Sequence, residues 1–84
     1  MIRVTTTVYR DLTPTSVETP SWRVQSCSID FGSDHAELTF TSDWVYASAD
    51  AAHDDMKQQA LERMGNKGYA VSETEVVWKL RMIE

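Results

Sequence analysis

The middle of this chain has no basic residues. Between Arg23 and Lys57 there is neither lysine nor arginine; the interval holds Asp30, Asp34, Glu37, Asp43, Asp50, Asp54 and Asp55 instead. Over all 84 residues, eight basic against thirteen acidic side chains leave a net charge of −5. A surface that grips nucleic acid needs clustered lysine and arginine to displace counterions from phosphates, so direct nucleic-acid binding is not expected. Cysteine is nearly missing too. Cys27 is the only one, an internal disulfide is therefore excluded, and a reducing, cytoplasmic setting is the simplest expectation. No apolar run approaches the roughly 18 residues that cross a bilayer, and the opening MIRVTTTVYR alternates apolar and polar residues where a signal peptide would carry an apolar core. Catalytic and cofactor motifs are missing as well: no HExxH, no cysteine pair, no glycine-rich phosphate loop, no GxSxG. The chain reads as a non-enzymatic protein without cofactor or metal, and as a single domain over residues 1–84, since it shows no internal repeat or linker.

The clearest positive signal is residues 48–68, SADAAHDDMKQQALERMGNKG. Ser48 can cap a helix through its side-chain oxygen. Asp50, Asp54 and Asp55 come early, and Arg63 and Lys67 late, as the helix dipole prefers. Gly65 or Gly68 can end the helix in a left-handed conformation. At about 100° per residue, Ala49, Ala52, His53, Met56, Ala60 and Met64 share one face. The spacing predicts one helix over Ala49–Asn66, the only helix of the chain.

Around it the chain alternates. Ile2–Arg10 sets Ile2, Val4, Thr6 and Val8 against Arg3, Thr5, Thr7 and Tyr9, a half-buried strand. Residues 11–21, with Pro14 and Pro20, read as a long surface loop. Residues 22–31 form a second strand whose parity changes between Val24 and Cys27, which predicts a bulge near Gln25–Ser26. Residues 32–35 read as a hairpin loop and 37–42 as a third strand, with 43–47 leading into the helix. The last strand begins at Tyr69, bends at 72–74, and turns Val76, Trp78, Leu80 and Met82 to one side. The expectation is an α+β fold in the order β-β-β-α-β: one mostly antiparallel four-stranded sheet with a single helix on one face. A right-handed crossover places the last strand parallel to the first, beside it; pairing beside the third strand is the alternative. The tryptophans Trp22, Trp44 and Trp78 and the phenylalanines Phe31 and Phe40 are expected to compensate for the thin core of so short a chain.

Three constellations invite a chemical reading. His53 lies near Asp50 and Asp54, but acids in a first helical turn are expected from the dipole alone. Cys27 with His35 or His53 could pair a nucleophile with a base, yet a mid-strand cysteine without a nearby cation behaves as a small core hydrophobe. The acidic interval is either a solvated face that keeps the chain soluble or a docking surface for a basic partner. Its members fall into two groups, Asp30, Asp34 and Glu37 at one end of the third strand and Asp43, Asp50, Asp54 and Asp55 at the other. Leu61 falls off the apolar helix face. With Tyr9, Tyr46 and Val77 it would form an exposed patch.

Short length, the acidic interval from Asp30 to Asp55 and the missing catalytic motifs together give a chain that resembles the small acidic phage proteins that disarm bacterial defence, such as anti-CRISPR proteins. The stretch ALERMGNKGYAV is also similar to the helix–glycine–aromatic–strand turn of small uncharacterised bacterial domains. The first resemblance implies a protein-binding inhibitor, acting in the cytoplasm of a host cell, that docks on the basic surface of a nucleic-acid-handling partner. Asp30, Asp34, Glu37, Asp43, Asp50, Asp54, Asp55 and Leu61 are the candidate partner-binding residues. The alternatives are an accessory protein that forms a homodimer or larger oligomer through a strand edge, and a small ligand-binding domain.

Overall fold

Residues 2–11, 21–32 and 37–83 are described by a computed structural model. The expected loop residues Ser33, Asp34 and His35, and most of the 11–21 connection, lie outside the described residues. The elements are β1 (Ile2–Arg10), β2 (Trp22–Asp30), β3 (Leu38–Phe40), β4 (Val45–Tyr46), α1 (Ala49–Asn66), a single 3-10 turn at Glu73–Glu75, and β5 (Val76–Ile83). The sheet runs β3-β2-β1-β5, with β4 also pairing β2. β1 is antiparallel to β2 and parallel to β5. The order is therefore β-β-β-β-α-β, and the sheet is five-stranded and mixed, with three antiparallel pairings and one parallel among the described residues, where the sequence predicts a mostly antiparallel sheet of four strands. The additional strand is the segment read as a lead-in to the helix. Val45 and Tyr46 pair with Arg23 and Trp22, and two residues are too few for alternation to register as a pattern.

The changes of parity have local causes. Thr7 pairs with Ser26 and Val8 with Val24, so Gln25 is the extra residue of a bulge, as the sequence predicts. The bulge turns Val24 to the side of Cys27 and Ile29, and all three are buried. The bend before β5 is the 3-10 turn. Glu75 accepts hydrogen bonds from the Ser72 backbone N–H at 3.1 Å and from the Ser72 hydroxyl at 3.0 Å. These bonds favour the ionised form and hold the Glu75 carboxyl below its ordinary value. The last strand consequently starts at Val76 and not at Tyr69.

The helix has the expected bounds. Ser48 Oγ accepts from the Ala51 N–H at 3.0 Å, and Gly68 takes a positive φ of 92° just beyond the C-cap Lys67, a conformation that costs glycine little. Ala52, Met56, Ala60 and Met64 repeat every four residues along one line and are fully buried. The helix packs chiefly on β1 and β2, over a core of Val4, Val8, Val24, Cys27 and Ile29. Thr6 is buried among them, its hydroxyl 3.6 Å from the sulfur of its cross-strand neighbour Cys27.

One helix, about 10–12 Å across, covers little more than two strands spaced about 4.8 Å apart. The flanks of the sheet are left partly open. Trp22 and Trp78 pack only at the margins of the core, and Trp44 is 72% exposed. The expectation that aromatic rings enlarge the core holds for Phe31 and Phe40, which are buried in it, and is corrected for the tryptophans: alanine, methionine and β-branched residues supply most of its fully buried centre.

Candidate docking site

The segment between β3 and α1 is held from several sides. Thr41 Oγ1 donates to the Val24 carbonyl at 3.1 Å. Ser42 Oγ lies 3.0 Å from the Tyr46 hydroxyl and accepts from the Trp44 N–H at 3.2 Å. The Tyr46 hydroxyl donates to Asp55, which also accepts from Gln59 Nε2 at 3.2 Å. From the sheet side, Arg23 reaches the Asp43 carbonyl with Nη1 at 3.5 Å while its Nε donates to Asp11 at 2.8 Å. Burial, with the Asp55 carboxylate second, pushes the Tyr46 phenol above its ordinary value, so it remains a neutral donor. These contacts fix the backbone around Trp44 and Val45, yet both side chains are exposed. An exposed indole on an anchored segment is unusual, since burying an aromatic ring is strongly favourable.

The structure brings some of the candidate acids to this segment and not others. Asp43, Asp50 and Asp54 are exposed and lie at the β4 end of the sheet and the adjoining helix N-terminus. Asp55 is corrected as a free partner-binding group: it is partly buried and engaged by Tyr46 and Gln59. Asp30 and Glu37 are at the far end of β2. Arg23 and Asp30 lie near opposite ends of that strand, roughly 23 Å apart at about 3.3 Å per residue. Asp30 accepts from the Gly32 N–H at 2.9 Å, and Glu37 from Ser28 Oγ, so both carboxylates serve their own turn. Asp34 is outside the described residues.

Leu61 is also corrected. It is partly buried and packs against the core. It lies on the same row, four residues apart, as His53 and Lys57, and the Lys57 ammonium sits 5.8 Å from the centre of the Trp78 ring. That row leans toward β5, where the helix stops covering the sheet. Trp44 and Val45, by contrast, are surface residues that sequence reasoning missed. The available signal was the run SDWVY, in which a tryptophan stands between strand and helix periodicities and belongs to neither.

Other groups have ordinary settings. Burial pushes the Cys27 thiol up from its usual value, against smaller opposing effects of Thr6 and Arg63, which keeps it protonated inside the core. Among the described residues no group of three His, Cys, Asp or Glu could hold a metal ion, and no helix is long and apolar enough to cross a membrane. A depression lined by Gln59, Glu62, Arg63 and Asn66 is open and polar, and the Arg63 guanidinium stacks 4.2 Å from the centre of the Phe40 ring. Comparison with protein families, curated proteins and solved structures finds no match for this chain.

Proposed function

We propose that this chain is a non-enzymatic protein-binding module that docks the Trp44 end of its sheet on a basic partner, as an inhibitor of the anti-CRISPR kind would dock on a nucleic-acid-handling complex. The observation that carries the reading is the 72% exposure of Trp44 on a segment anchored by Ser42, Tyr46, Asp55 and Arg23. The face of an indole attracts arginine and lysine, and tryptophan is enriched among the residues that dominate interface energies. Asp43, Asp50 and Asp54 add the carboxylates that would receive charge-assisted hydrogen bonds from the same cations. An anchored backbone lowers the ordering cost of association.

The test begins with affinity capture from a candidate host lysate and continues with kinetics on the captured partner. Trp44→Ala should weaken binding by about 2 kcal/mol or more, roughly thirty-fold, while changing fold stability by only about 0.5 kcal/mol. Asp50→Asn with Asp54→Asn should slow association more than it speeds dissociation, and added salt should erase the difference. Unaltered affinity in a folded Trp44→Ala variant would falsify the reading.

A further inference from the structure

β5 is eight residues long, closes the sheet on one side, and pairs with β1 alone among the described residues. Both of its faces are partly apolar. On the helix side Trp78 and Leu80 are half-buried and Met82 is 61% exposed; on the other side Ile83 is 40% exposed, next to the exposed Tyr9. Between these lie Lys79 and Arg81, exposed, on the same face, and without an ion-pair partner among the described residues. A strand edge of this length with unpaired main-chain groups is a template for another strand.

The charges select the occupant. A second copy adding its own β5 antiparallel about a twofold axis keeps like faces together. Lys79 and Arg81 of both copies would then be direct or diagonal neighbours on one face, an arrangement that opposes pairing. The opposite edge of a second copy offers only the short strands β3 and β4, of three and two residues, against eight. We propose that β5 takes up an extended segment of another protein as an added strand, one that sets carboxylates opposite Lys79 and Arg81 and apolar side chains opposite Trp78, Leu80 and Met82. The partner segment therefore alternates acidic and apolar residues with a period of two. This surface has the opposite charge to the Trp44 end and stands independently of it.

The test uses capped eight-residue peptides of alternating valine and glutamate, or of alternating valine and lysine, titrated into the isotopically labelled full chain and followed by backbone amide shifts. The glutamate peptide should move the amides of residues 76–83 and bind on the order of ten-fold more tightly than the lysine peptide at low salt. In a folded Lys79→Glu, Arg81→Glu variant the preference should reverse; Lys79→Gln with Arg81→Gln, the milder pair, should abolish it. Trp44→Ala should leave the glutamate peptide's affinity unchanged, which separates this surface from the other. Equal affinity for the two peptides, or shifts confined to residues 41–55, would overturn the proposal. So would β5 shifts that depend on protein concentration alone, since a second copy would then be the occupant.

Discussion

Asp54 and Asp55 are adjacent in the chain but have different surroundings. Asp54 is exposed, whereas Asp55 accepts the Tyr46 hydroxyl and the Gln59 amide. Removing a partner from a partly buried hydrogen bond to a charged group costs about 1.5–3 kcal/mol. Asp55→Ala should therefore destabilise the fold by roughly 1–2 kcal/mol, allowing for partial exposure, and Asp54→Ala by about 0.5 kcal/mol or less. Urea unfolding of both variants checks this, and equal midpoints would refute the distinction. His53 gives a second prediction. Its Nε2 is buried without a hydrogen-bond partner among the described residues. Burial, then the Lys57 charge, lowers its pKa, with Asp54 and Asp50 opposing. With the folded value below the unfolded one, near 6.5, the unfolded chain takes up the proton first as pH falls. Stability is thus complete above about 6.5 and declines as pH drops through that value toward the folded pKa. His53→Gln should flatten this slope between about pH 7.5 and 5.5; an unchanged slope in the variant would assign it to other groups.

Among the elements, the helix carries the clearest energetic contrast. Met56 is fully buried, and Leu61, five residues further along, is only partly so. Met56→Ala should cost about 2–5 kcal/mol, and Leu61→Ala should fall near or below the bottom of that range, because its site is already partly open to water. Denaturant midpoints of the two variants decide it. The helix was legible in the sequence because Ser48, the early acids, Gly68 and the four-residue repeat of Ala52, Met56, Ala60 and Met64 agree with one another. The bulge at Gln25 was legible for a related reason: only an extra residue reconciles Val24 with Cys27 and Ile29. β4 was not, since Val45–Tyr46 acquires its strand character from pairing with β2. The Trp44 surface was hidden because residue type suggests burial, while exposure depends on how far one helix reaches across the sheet. Leu61 failed the other way, since its place on the helical wheel omits the neighbouring edge of the sheet.

At the scale of the whole molecule, charge follows the sheet. Asp43 stands beside β4, and Asp50 and Asp54 lie on the first turns of the helix next to His53, while Lys79 and Arg81 line β5, the edge strand opposite β3 and β4. Charges separated across the sheet in this way can orient an approaching partner before contact. The pairing of β1 with β5 has a further consequence, in time. It joins residues more than seventy positions apart, Ile2 to Val76 and Tyr9 to Ile83. Loop closure over that distance must be met before the parallel contacts give any return, which places the closing of the sheet late in folding. On the ribosome, β1 can find β2 early but must wait for β5. Throughout that interval its second edge, IRVTTTVYR, is an unpaired run rich in β-branched residues and free of proline, the kind of segment that recruits chaperones or other nascent chains.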